Sequence, residues 1–184
     1  MGRFYSYEEL KGLGFREFGK NVRISKSAVI PNPEKITIGS EVLIDDFVLL
    51  IGAISIGSYV HISAYCSLGG RFGIVLSDFV ALAPGARIFS ATDDYSGEHL
   101  VGPCVPDEYR GVWGGGVILN KHVVIGANSV ILPSVECGLG SAVGAMSLVK
   151  HDIPPFKLYG GVPAKELADR SRNCLELEKK LCES

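Results

Sequence analysis

The sequence predicts a mainly β fold, a three-sided parallel β-helix closed at both ends by helices and broken once by a long loop. Three observations predict it. An aliphatic residue returns every six positions, as in I-G-S-E-V at Ile38–Val42, I-G-S-Y-V at Ile56–Val60 and I-G-A-N-S at Ile125–Ser129. That column fails at one place, where Asp94 falls on an aliphatic position. Amphipathic segments flank the repeat on both sides.

The repeat comes first because internal periodicity decides the architecture. The aliphatic position holds Ile38, Ile44, Leu50, Ile56, Ile62 and Leu68, then slips by two residues to Leu76, Leu82 and Ile88. It resumes at Leu119, Ile125, Ile131, Cys137, Val143 and Val149, with Ile24 and Ile30 extending it upstream. Four residues later in the repeat stands a small or β-branched residue, from Val42 and Val48 to Ser141 and Ser147. A period of six fits neither a helix nor a hairpin meander. It fits a coil of three flat sides, each a short strand with one residue inward. Stacked coils about 4.8 Å apart satisfy one another's backbone. Gly39, Gly57, Gly126, Gly138 and Gly144 follow the aliphatic position and suit tight corners.

The flanks are caps. Ser6 to Glu9 is a capping box opening a helix from Tyr7 to about Leu13, within a cap spanning 1–21. The coils occupy 22–163. Residues 164–184 read as a helix, with Leu167, Cys174, Leu175, Leu177 and Leu181 on its apolar side.

The interruption is the functional signal. A carboxylate cannot sit unpaired in an apolar column. The chain therefore leaves the prism at Phe89 and rejoins after Gly116. The excursion carries the sole tryptophan, Trp113, and the A-T-D-D-Y-S-G run at 91–97. A loop this long in a compact repeat builds a site more often than it decorates a surface.

Bulk properties exclude several classes. A net charge of −2 gives no basic stripe for nucleic acid. No apolar run reaches the roughly 18 residues of a membrane span. Five irregularly spaced cysteines and no export signal indicate free thiols and a cytoplasmic chain. No paired Cys or His spacing suits zinc, so no metal is expected.

The repeat, together with D-I-P-P-F-K-L-Y-G-G-V-P-A-K at Asp152–Lys165, resembles the hexapeptide-repeat acyltransferases, across roughly residues 22–170. The resemblance implies left-handed coiling, acetyl-CoA as co-substrate, and a homotrimer with its active site between two prisms. It further implies Gly126, Ala127, Gly144 and Ala145 along the pantetheine arm and Lys150 and Lys165 near the CoA phosphates. Where related sugar O-acetyltransferases place a general-base His, this chain has Asp93, beside Asp94. A carboxylate of ordinary pKa, about 4, is a poor base for a hydroxyl but suits an ammonium. The acidic pair therefore favours N-acetylation of an amino sugar, although D-D-Y-S-G is also good turn chemistry.

The run and the N-terminal Y-S-Y-E-E-L-K-G-L-G-F resemble acyltransferases of dTDP-4-amino-4,6-dideoxyglucose from surface-polysaccharide synthesis. His61 points outward before Ile62 and is the rival base, for a sugar hydroxyl. His99 lies in the loop within reach of the same place, while His122 and His151 are expected on the surface. A carbonic anhydrase on the same prism would need a close His pair, and these four are 38, 23 and 29 residues apart. A non-catalytic scaffold would leave the acidic loop and the tail lysine without a purpose.

Overall fold

A strand that buries one residue in six must find backbone partners outside itself. In the computed structural model, which describes residues 2–183, each coil finds them in the next. The chain winds into a parallel β-solenoid of about seven turns with two helices. Each coil crosses three faces. The first carries Ile36–Ile38, the later halves of strands Leu49–Ile56 and Ser67–Leu76, Val117–Leu119 and Glu136–Cys137. The second carries Arg23–Ile24, Leu43–Ile44, His61–Ile62, Ala81–Leu82, Val124–Ile125, Ala142–Val143 and Lys157–Gly160. The third carries the earlier halves of the two long strands, then Arg87–Phe89, Val130–Ile131 and Leu148–Val149.

Register follows the repeat. Ile44 pairs with Ile62, Ile62 with Leu82, and Leu82 directly with Ile125 across the excursion. Leu76 pairs with Leu119 and Ile88 with Ile131 in the same way. The excursion is thus spliced out of the stack without disturbing it. All fifteen aliphatic positions from Ile38 to Val149 are buried, as are the small or β-branched residues of the repeat from Val42 to Ser147. Ile24 joins them, while Ile30 is only half-buried at the first coil.

The corners differ from expectation in an informative way. Gly39, Gly57, Gly126, Gly138 and Gly144 all have ordinary negative φ. The left-handed conformation falls two or more residues later, on Glu41, Phe47, Tyr59, Tyr65, Phe79, His122, Asn128, Ser134 and Met146. Each stands immediately before a buried small or β-branched residue. A left-handed non-glycine residue costs on the order of 1 kcal/mol. Here it aims its N–H at the adjacent coil: Tyr59 bonds to the Ser40 carbonyl, Phe79 to Ser58, His122 to Asp78 and Met146 to Ala127. The glycines serve closeness instead. A Cβ on Gly39 would lie 2.6 Å from the Gly57 carbonyl carbon, and one on Gly126 would lie 2.4 Å from the Ala145 nitrogen.

Both ends are closed. Helix α1, Tyr7–Leu13, has the expected reciprocal capping box between Ser6 and Glu9 and buries Leu10. The C-terminal segment departs from expectation. Residues Lys165–Asp169 form a strand antiparallel to Lys157–Gly160, and helix α2 spans only Asn173–Cys182. Lys157 holds that hairpin through Glu166 at 2.6 Å and Asp169 at 2.7 Å. Leu167, assigned to a helix by its spacing, is an exposed strand residue. Helix α2 then folds back, and Glu178 grips Lys121 at 2.6 Å and His122 Nε2 at 2.7 Å. His122 is therefore buried at its corner rather than on the surface. Its ring stacks on Phe79, which stacks on Tyr59, at centroid distances of 5.0 and 4.8 Å.

These packing differences set the cost of substitution. Ile62→Ala, in the middle of the column, lowers stability by about 2–5 kcal/mol. Gly39→Ala destabilises by about 1–3 kcal/mol through backbone collision. Gly12→Ala, in α1 with nothing within 4 Å of the added methyl, is neutral or stabilising by about 0.5–1 kcal/mol. Urea unfolding of the three variants measures this order.

Candidate active site

The excursion is clasped at its base and knit within. Ala91–Thr92 pairs antiparallel with Trp113–Gly114, so the loop leaves and returns through one narrow neck. Gly114 is required there, since a Cβ would lie 2.2 Å from the Ser90 carbonyl oxygen. Asp94 organises the turn beyond the neck. Its carboxylate accepts from the Ser96 amide at 2.8 Å, the Ser96 hydroxyl at 2.9 Å and the His99 amide at 3.0 Å. These donors hold its pKa well below the usual carboxylate range. The D-D-Y-S-G run is thus a turn capped by Asp94, with both oxygens of that residue engaged.

Asp93 is the more open of the pair. Its side chain is 37 % exposed against 12 % for Asp94. Its partner is Arg110, whose Nη2 lies 3.4 Å away and whose Nη1 reaches Asp107 at 3.1 Å. The Arg110 side chain is largely buried, and its Nε has no hydrogen-bond partner among the described residues. His99 packs against Gly111, with Nδ1 3.5 Å from Asp94.

His61 stands elsewhere, on the second face. Its Nε2 is 2.8 Å from Asp45 Oδ2, and Asp45 is in turn 2.9 Å from an Arg3 nitrogen. Asp46 beside it binds Arg3, Ser25 and Ser27, which lowers its pKa, the Ser25 hydroxyl contributing most. A carboxylate on one ring nitrogen orients a histidine for proton transfer at the other. Neither Asp93 nor Asp94 is a hydrogen-bond or ion-pair partner of His61.

The expected donor residues lie at the corner between the second and third faces. Gly126-Ala127 and Gly144-Ala145 stack there in successive coils, joined by bonds from Gly126 to Val143 and from Met146 to Ala127, each 2.8 Å. Lys150 and Lys165 are exposed. The excursion leaves from the opposite end of the third face, after Phe89. One whole side of the prism therefore separates the two halves of the site within a single chain. No cluster of His, Cys, Asp and Glu suited to a metal occurs among the described residues. Among the described residues no helix is long and apolar enough to cross a membrane.

No protein-family model matches the sequence. Individual proteins do. The chain is 40 % identical to the dTDP-4-amino-4,6-dideoxy-D-glucose acyltransferase of Escherichia coli, over 92 % of this chain and 90 % of that one. The chain belongs to the hexapeptide-repeat acyltransferases. It is an enzyme with that family's left-handed parallel β-helix. Two crystal structures of AntD, an N-acyltransferase from Bacillus cereus, superpose along its whole length. One is a variant bound to dTDP-4-amino-4,6-dideoxyglucose and coenzyme A, with TM-score 0.97, 48 % identity and 100 % and 98 % coverage of this chain and that one. The other is bound to dTDP and 3-hydroxybutyryl-CoA, with TM-score 0.96, 49 % identity and the same coverage.

Two residues of this acyltransferase escaped the sequence reading. Arg110 is separated from Asp93 by 17 positions of irregular loop, so no periodicity couples them. Asp45 was legible in principle. It precedes His61 by 16 residues, nearly one full coil, and residues one coil apart stack on adjacent strands.

The bonds to Asp94 predict a pH response. A carboxylate with a lowered folded-state pKa contributes stability above its unfolded pKa and loses it as the pH falls through the folded value. Protection of the Ser96 and His99 amides from hydrogen exchange therefore persists below the ordinary carboxylate range near pH 4. Asp94→Ala abolishes that protection at every pH while leaving the coil amides protected.

Proposed function

We propose that this enzyme transfers an acetyl group from acetyl-CoA to the amine of a nucleotide-linked amino sugar of the dTDP-4-amino-4,6-dideoxyhexose class. The end-to-end likeness to AntD, whose crystals contain that sugar with CoA, carries the reading. The loop chemistry supports it. The amine arrives as an ammonium, and Asp93 is the accessible anion of the acidic pair. Asp93 orients the ammonium and takes one proton from it, which frees the nitrogen lone pair and passes to solvent. The neutral amine then attacks the thioester carbonyl: a C–N bond forms, the C–S bond breaks, and a second proton moves from the nitrogen to the leaving thiolate. Asp94 is assigned to holding the loop in shape rather than to proton transfer. Gly126, Ala127, Gly144 and Ala145 let the pantetheine arm lie close to the backbone, and Lys150 and Lys165 meet the CoA phosphates.

The separation of loop and donor corner supports a trimer in which the loop of one copy meets the donor corner of the next. A three-sided prism suits closed three-fold association. A cytoplasmic setting fits an acyl-CoA donor and five free cysteines. Burial raises the thiol pKa of Cys66 to about 11, so it stays protonated and inert.

A second reading is favoured by the His61–Asp45 pair, an oriented imidazole suited to a hydroxyl acceptor. A CoA-release assay on dTDP-amino sugars and neutral sugars separates the two. The amine reading expects turnover on the amino sugar and a loss of about 10²–10⁴ in kcat for Asp93→Asn. His61→Ala leaves that rate within a few-fold. Turnover confined to neutral sugars, and abolished by His61→Ala, would establish O-acetylation instead.

A further inference from the structure

The two-residue slip between Leu68 and Leu76 has a structural consequence beyond the column. Strand Ser67–Leu76 runs unbroken around the corner between the third and first faces, and the extra residues stand out there. The column does not need them, since Leu68 and Leu76 are both buried in register. They place Arg71 and Phe72 beside the neck of the excursion. The Phe72 amide donates to Ser90 Oγ at 2.8 Å.

The bulge opens a groove of about 570 Å³, lined by Lys35, Ile51, Gly70, Arg71, Phe89 and Ala91 among others. Its floor is bare backbone. A Cβ on Gly70 would lie 2.4 Å from the Ala53 carbonyl oxygen, and one on Gly52 would lie 2.7 Å from that of Gly70. Lys35 and Arg71 both line it, although they come from different coils of the chain. Neither forms an ion pair among the described residues, whereas Lys26, Arg110, Lys121 and Lys157 all do. Two unneutralised cations over a shelf of glycine backbone suit an anion with several oxygens and a flat neighbour.

We propose that this groove binds the nucleoside diphosphate of the acceptor, with Arg71 and Lys35 on its phosphates and Phe89 beside the base. The assignment rests on the amino-sugar reading of the acceptor and adds a place for it. The position is appropriate, because Ala91 lines the groove two residues before Asp93. Two extended residues span about 7 Å, roughly the reach of one hexose from its anomeric oxygen to its 4-amine. The volume lies within the range of small-molecule sites. CoA also carries a diphosphate; within one chain the expected donor glycines lie across the whole third face from this groove, and because the proposed trimer brings a neighbouring donor corner to the loop, the two ligands are separated by titration.

Calorimetric titration of dTDP and, separately, of CoA into wild type, Arg71→Ala, Lys35→Ala and Arg71→Lys tests the assignment. Each alanine variant is expected to bind dTDP about tenfold or more weakly, with CoA affinity within about twofold of wild type. Arg71→Lys recovers part of the loss. In the release assay the acceptor KM rises while kcat holds. Both side chains are exposed, and unchanged melting temperatures verify that the variants are folded. Variants that bind dTDP as tightly as wild type overturn the groove assignment and leave the reaction intact. Loss of CoA affinity with dTDP unaffected reassigns the groove to the donor and also overturns it. A wild type that does not bind dTDP overturns the assignment and the acceptor reading together.

Discussion

Stacking of one coil's amides on the next coil's carbonyls is the constraint on which this molecule depends. On the second face the strands from Arg23–Ile24 to Ala142–Val143 have two residues each, and a two-residue strand has no stability of its own. It persists because its neighbours above and below satisfy its backbone and extend its apolar column. Leu82 can meet Ile125 directly only because nothing in the column records the residues between them. The same constraint excludes chemistry from the interior, which is filled from Ile24 to Val149. Functional groups are left to the outward positions and to whatever departs from a corner.

The architecture was legible because inward residues recur at a fixed spacing that no other fold requires. The corner conformation was not. Left-handed φ is usually read from Gly or Asn, and here it falls mostly on other side chains, including Phe47, Tyr59, Tyr65 and Phe79. The favourable term is a hydrogen bond to a different coil, which local propensity does not register. The end of the prism was misread for a related reason. Residues 165–169 have helical spacing in isolation, but the last coil presents an open strand edge at Lys157–Gly160. Pairing that edge outweighs the local preference.

The site was legible in its anions and illegible in its cations. Asp93 and Asp94 announced themselves by breaking a pattern, and the structure then separates them by environment. One is enclosed by loop donors and the other faces Arg110. Arg110, Lys35 and Arg71 break no pattern, since charged residues on outward positions are the norm for this fold. Their arrangement emerges only when the coils are stacked, which brings Lys35 and Arg71 to one groove from separate turns of the chain.

The surplus pair at Arg71 and Phe72 shows how such a scaffold diversifies. An insertion at a bend is absorbed locally, because the periodic frame resumes in phase on the following strand. Lineages sharing the prism are therefore free to lengthen or trim their bends independently, altering which molecule is held without renegotiating the spine. Insertions and deletions, rather than exchanges of inward side chains, become the natural currency of divergence among these enzymes.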